Sequence, residues 1–328
     1  MSNFAKRLGL SLAVGYVLFY FGELVFWATS DRDGMTPPEM TMTWLVYAWF
    51  AYVLLAVATL FRAYNLWALF LAGAVFGWYE EGIVVQTMYG SADGVFPISI
   101  AFTGLAWHAL IDVVVGCYLL PRAMSSPHWG RAVAAAAAVG AFYGCWAIWW
   151  WIEPPPAMQS LLAAGRTDIV FLHFVAFAFG TTIPLIVAYM VCSRMANFRF
   201  VPSVAEWSLL AGATLAYFVL VTMPAAPRAV WVLPPLMGIT LLALECNRRS
   251  EPREFGWGQW CSATPPRRWL LLLVVPLVAS GIYFAALAAG LRVPTNLVVY
   301  VVSSLAGTIL WATSVVVLVW RYTSRPTR

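Results

Sequence analysis

A chain of 328 residues that is 62% hydrophobic and 10% charged, with a mean hydropathy of +0.79, cannot fold as a soluble globule, since ordinary soluble domains carry about 25% charged residues. Its net charge of +5 comes from basic residues scattered singly between apolar runs, a pattern that excludes a nucleic-acid partner and leaves membrane lipid as the surroundings. Runs of about 20 apolar residues, enough to cross hydrocarbon, recur along the whole length, so the expected fold class is all-α, a polytopic integral membrane helical bundle.

The first run, 8–28, follows Lys6-Arg7 as the core of a signal peptide does. It is longer than such a core and contains Glu23, so an uncleaved first span is expected. Nine more runs follow, at 42–61, 66–89, 97–120, 131–152, 168–193, 204–225, 229–247, 269–291 and 296–320, giving about ten transmembrane helices. With the N-terminus placed in the cytoplasm, only Arg32, Arg166, Arg228 and Arg292 of the 19 basic residues fall outside. That asymmetry puts both termini on the cytoplasmic side, and a prokaryotic cytoplasmic (inner) membrane is the expected location. Trp149-Trp150-Trp151 closes the fifth span, where an aromatic belt is expected. The polar link Asn247–Arg268, with Trp257 and Trp260, is too short for a soluble domain. The cysteines (Cys117, Cys145, Cys192, Cys246 and Cys261) show no Cys-x-x-Cys spacing, so neither a disulfide nor a thiolate metal site is expected.

The two halves differ. Residues 1–200 hold six spans and all the ionisable groups at membrane depth, namely Glu23, Glu80, Glu81, His108, Asp112 and His173. Residues 201–328 hold four spans whose interiors offer only hydroxyl residues such as Thr214, Tyr217, Ser280 and Tyr283. A six-helix unit carrying the chemistry and a four-helix scaffold unit are expected. The acidic and imidazole patterns do not repeat in the second half, which argues against the internal symmetry of many secondary transporters.

A charge in hydrocarbon costs about 2.5–3.5 kcal/mol and turns to the protein interior, and helical spacing indicates which face does so. Gly73, Gly77 and Glu81 recur every four residues, as do Gly104, His108, Asp112 and Gly116; small residues mark the faces where helices approach closely. His108 and Asp112, four apart, can touch, while Glu80 is expected about 100° round the helix from Glu81. His173, Ala176 and Gly180 make a similar face in the sixth span. Counting about 1.5 Å per residue, Glu23, Glu81 and His173 come to one depth near the outer surface, with His108 and Asp112 beneath. Other acids have local explanations: Ser203-Val-Ala-Glu206 is a capping box, Glu245 can pair with Arg249, and Asp168 suits a helix start.

Three chemistries fit the set. Glu81, His108 and Asp112 could act on water as acid and base, with Glu23, Glu80 and His173 nearby. Glu81, His108 and His173 are the residues that could hold Zn or Fe if a metal is bound. The same column could pass protons or a cation in a transporter. An enzyme using acid–base chemistry on a lipid-phase or small-molecule substrate (a lipid, an isoprenoid or a membrane peptide) is the leading expectation. A proton- or cation-coupled transporter and a structural subunit of a larger complex are the alternatives.

Glu80-Glu81, the helix Ile98–Trp107 that leads into His108, and His108-x-x-x-Asp112 together resemble the CAAX-protease and bacteriocin-processing (CPBP) family of glutamate intramembrane proteases. Its signatures are Glu-Glu-x-x-x-Arg, Phe-x-x-x-His and His-x-x-x-Asn. The resemblance covers about 35 residues; Val85 stands at the arginine position, and the chain has no Phe-x-x-x-His. It implies that Glu81 and His108 activate a water that cuts a peptide or related bond within the bilayer.

Overall fold

The computed structural model describes residues 3–28, 36–90 and 95–324, and every regular element among them is a helix. In chain order these are α1 (Asn3–Trp27), α2 (Pro37–Leu60), α3 (Leu66–Tyr79, continued by Glu80–Val84), α4 (Ile100–Ser125), α5 (Trp129–Trp151), the short α6 (Pro156–Ala163), α7 (Thr167–Arg194), α8 (Val204–Ala225), α9 (Ala229–Ser250), α10 (Pro266–Ala288) and α11 (Thr295–Thr323). Nine of them, all except α3 and α6, are long and apolar enough to cross a membrane. The chain is a multi-pass membrane protein built as a helical bundle. Its outer faces are apolar, with Leu209, Leu215 and Leu220 of α8 and Leu305, Ile309 and Val316 of α11 all exposed, as suits helices whose solvent is hydrocarbon.

Helix α3 corresponds to the third expected span. Glu80 and Glu81 lower its apolarity below that of the other nine, but protein shields it, and every residue from Ala68 to Tyr79 is buried. Its glycines make that possible. A Cβ on Gly73 would stand 2.9 Å from Ala109 Cα, and one on Gly77 would collide with the backbone of Gly104. Only bare Cα atoms let α3 and α4 lie this close. The expected span 66–89 overshoots: beyond Val84 the chain turns through Gln86, which has a φ of 70°, into the single turn Thr87–Tyr89.

Around this pair, α1 packs on α2 and α7, α11 lies along α3, α4 and α9, and α10 packs on α5 and α7. One polar tie binds three helices. The Arg7 guanidinium donates to both Glu206 carboxylate oxygens at 2.8 Å, and the Tyr52 hydroxyl donates to Glu206 Oε1 at 2.8 Å. Glu206 also closes the expected capping box with Ser203, so one carboxylate serves α1, α2 and α8. Glu245 pairs with Arg249 as expected, and with Arg248 as well.

The tryptophans depart from the expected belt. Trp149, Trp150 and Trp151 lie on a tightened turn, Ile148–Trp151, that swings all three inward; each is buried, and the Trp151 indole donates to the Tyr283 hydroxyl at 2.6 Å. Among the described residues Trp129, Trp231 and Trp320 are the exposed ones. In the link after α9, Trp257 and Trp260 are buried too, donating to the carbonyls of Cys192 and Ala63. The link is therefore a plug on the bundle's end.

Candidate functional site

Among the described residues four helices widen beyond the ordinary α-helical pitch, at Phe218–Thr222 of α8, which carries no ionisable group, and at three stretches that do carry them. Tyr20–Leu24 of α1, Glu80–Val84 of α3 and Ile100–Leu119 of α4 are wound as π-helix, with i→i+5 hydrogen bonds. Such widening is uncommon and frequent at functional sites. Backbone carbonyls of these turns take side-chain donors instead. The Trp107 indole donates to the Phe21 and Gly22 carbonyls at 3.0 Å each, Tyr89 donates to the Gly82 carbonyl at 2.8 Å, and Thr222 donates to the Ile83 carbonyl at 2.6 Å. His108 and Asp112, four apart, share one face of α4. Neighbouring Glu80 and Glu81 are separated by a smaller rotation than an α-helix gives.

At the centre is the His108 imidazole. Its Nδ1 lies 2.7 Å from Asp112 Oδ2, and its Nε2 lies 2.8 Å from Glu81 Oε1. Glu80 Oε2 is 3.6 Å from Nδ1. Asp112 is 0% and Glu80 1% exposed, so both are sealed from solvent, while Glu81 is half-buried. Two hydrogen bonds along Glu81–His108–Asp112 need two protons, because a carboxylate can only accept. Either the imidazole is doubly protonated between two carboxylates, or a neutral ring has one protonated acid beside it. The three groups thus hold protons as a unit. One oxygen each of Glu80, Glu81 and Asp112 makes no hydrogen bond. Among the described residues, His108 is the only basic side chain paired with these acids.

Helix α1 supplies the remaining wall. Gly22 lies so close that a Cβ there would be 2.9 Å from both Asp112 Oδ2 and the Tyr47 hydroxyl. Tyr47, from α2, donates to Glu23 Oε1 at 3.0 Å. A cavity of about 250 Å³ opens beside these groups, lined by Glu23, Glu81 and His108 together with Phe26, Trp27, Phe102 and Trp107. Thr87 and Thr103 also line it, so polar groups and aromatic rings share the wall, the character of a small-molecule pocket.

The site thus brings together Glu23, Glu80, Glu81, His108 and Asp112 from α1, α3 and α4. Glu80, expected near the site and about 100° round the helix from Glu81, lies 3.6 Å from His108 Nδ1 and is buried. His173 is not brought in. It is exposed on α7 and lines a separate crevice with Trp150, Phe174 and Tyr283, and its neighbours Ala176 and Gly180 are exposed as well. Here the small-residue face points outward, because α7 packs through Phe174, Phe177, Ala178 and Leu185. The expected Zn or Fe set of Glu81, His108 and His173 is corrected accordingly: Glu80, Glu81 and His108 can present one ligand atom each with all three within 4.8 Å of one another.

Sequence reasoning missed Tyr47, one aromatic among several in α2, and Gly22. The Gly22-Glu23 step inside an apolar run was a signal that the backbone of α1 approaches something polar. Nothing in the sequence marks Trp107 as the donor that braces the π-helical turn of α1. Compared with protein-family models, with curated proteins and with solved structures, the chain matches none.

Proposed function

We propose that this protein is a membrane-embedded hydrolase acting on a substrate drawn from the lipid phase, such as a lipid, an isoprenoid ester or a membrane peptide. The observation that carries the reading is the His108 ring held between Asp112 and Glu81 at the wall of an aromatic cavity. Glu81 and His108 are the catalytic residues and Asp112 is a positioning residue. A water in the cavity gives a proton to the Glu81 carboxylate as its oxygen bonds to the acyl carbon. When the C–O or C–N bond breaks, the leaving oxygen or nitrogen takes a proton back from Glu81 or from His108. The products are an acid and an alcohol or amine. Asp112 fixes the ring and supports its protonated form, and Phe26, Trp27, Phe102 and Trp107 offer surface to an apolar acyl or isoprenoid chain. The local resemblance to the CPBP family agrees with this reading in the two residues that would activate water.

A proton- or cation-coupled transporter would use the same groups and needs a polar path to both membrane faces. Beyond Asp112, Gly116 is packed by the Phe21 ring, and its carbonyl accepts from the buried Tyr189 hydroxyl at 2.6 Å. That closed end supports the enzyme. To test it, the protein is reconstituted into vesicles of bacterial total lipid containing a pool of transmembrane peptides, and consumption is followed by mass spectrometry. Wild type is expected to generate hydrolysis products, with Glu81→Gln about 10²-fold slower or worse. Unchanged lipids and peptides, with solute uptake driven by a pH gradient, would replace the enzyme with the transporter.

A further inference from the structure

We propose that Glu80, Glu81 and His108 bind one divalent first-row metal cation, with Asp112 orienting the imidazole from behind. A bound cation would replace the Glu81–His108 hydrogen bond and leave the proton return to Glu81; the inference itself concerns binding and is tested without turnover.

The first argument is donor geometry. Ligand atoms of a Zn²⁺-sized cation at about 2.0–2.2 Å lie at most about 4.4 Å apart, and here one atom from each residue falls within 4.8 Å of the others. Binding opens the 2.8 Å contact of Glu81 Oε1 with His108 Nε2 to the roughly 3.4 Å between neighbouring ligands of a tetrahedral ion and draws the wider pairs in. Glu80 and Glu81 are successive residues of one π-helical turn and His108 stands across from them on α4, so side-chain rotation suffices.

Unsatisfied polar atoms give the second argument. Glu80 is 1% exposed, and its Oε2 has no hydrogen-bond donor; the same holds for Glu81 Oε2. Buried carboxylate oxygens without donors are costly, and the described residues offer them no Lys or Arg. A 2+ ion balances the two glutamates with the imidazole neutral.

The third argument is the roles left to the other groups. A ligating histidine characteristically donates its second ring N–H to a carboxylate. Asp112 Oδ2, 2.7 Å from Nδ1, occupies that position and leaves Nε2, the nitrogen facing Glu81, as the ligating atom; Glu80 Oε2, 3.6 Å from Nδ1, rotates toward the Nε2 side to complete the set. Three protein ligands beside a cavity leave a position open to an outside ligand, the pattern of catalytic rather than structural sites. Mixed carboxylate and imidazole donors suit Zn²⁺, Fe²⁺ or Mn²⁺ and disfavour Cu⁺, which prefers sulfur. A cation held here would supply a Lewis acid at the cavity wall.

The test uses the full-length protein in detergent, stripped with chelator and loaded with Co²⁺ as probe. Metal per chain is measured by mass spectrometry, coordination by d–d absorption, and histidine ligation by pulsed EPR on ¹⁵N-histidine-labelled wild type. One Co²⁺ per chain is expected, displaced by Zn²⁺ and coupled to a single histidine nitrogen. Glu80→Gln and His108→Gln should each weaken binding at least tenfold, Asp112→Asn by about 10–100-fold, and His173→Gln should leave it unchanged. The wild-type stoichiometry and nitrogen coupling keep the test decisive if a variant fails to fold. Occupancy well below one with excess Co²⁺, a bound ion lacking histidine coupling, or equal loss on His173→Gln would overturn the assignment.

Discussion

Gly22 of α1 and Asp112 of α4 meet without a side chain between them, and a single methyl on Gly22 would stand 2.9 Å from the Asp112 carboxylate and 2.9 Å from the Tyr47 hydroxyl. Both neighbours are held, Tyr47 by Glu23 and Asp112 by His108. Gly22→Ala should therefore destabilise the protein by about 1–3 kcal/mol through overpacking. Gly9→Ala, where a Cβ meets nothing within 4 Å, should be neutral or stabilising. Thermal unfolding in detergent distinguishes the two; equal behaviour would place α1 further from Asp112.

The bundle was legible in the sequence because hydrocarbon imposes long apolar runs, and the stripes of Gly73, Gly77 and Glu81 and of Gly104, His108 and Asp112 sort residues by face. The same rule failed for His173, Ala176 and Gly180. Small residues permit close packing but do not compel it, and α7 had bulky Phe174 and Phe177 to pack instead. The inward turn of Trp149-Trp150-Trp151 was illegible for a different reason: it depends on a local tightening of helical pitch, and apolar periodicity does not encode pitch. Tyr47 joins through tertiary packing of α2 alone.

Removing His108 leaves Glu80, Glu81 and Asp112 facing one another without the basic side chain paired with them. His108→Leu should cost about 3–5 kcal/mol, as removing one partner of a buried ion pair does. The triple change His108→Leu, Glu81→Leu, Asp112→Leu should recover much of that loss. Denaturation midpoints measure both, and strict additivity would contradict the coupling.

Arg7, Tyr52 and Glu206 tie α1, α2 and α8. Arg7→Ala should destabilise by about 1–3 kcal/mol, because Glu206 keeps its charge and loses its strongest donor. In a double-mutant cycle, Arg7→Met with Glu206→Leu should lose less than the two single changes summed.

Cys261 lies in the link between α9 and α10, and burial pushes its thiol pKa up to about 12. A raised thiol pKa keeps the neutral form at pH 8, leaving about one molecule in 10,000 as the reactive thiolate. Maleimide at pH 8 should spare Cys261 in the native protein and label it after denaturation in SDS, as read by peptide mass spectrometry. Prompt native labelling would mean that the plug formed with Trp257 and Trp260 is open.

The account rests on the His108 imidazole lying between two carboxylates at an accessible cavity. Solid-state NMR of ¹⁵N-histidine, ¹³C-carboxyl-labelled protein in lipid measures this directly. The expected spectrum couples His108 Nδ1 to the Asp112 carboxyl carbon and Nε2 to that of Glu81, with magnetisation reaching Nε2 from water, and Glu81→Gln removes only the second carboxyl coupling. A His108 ring coupled to neither carboxyl, or one that water never reaches, would contradict the site.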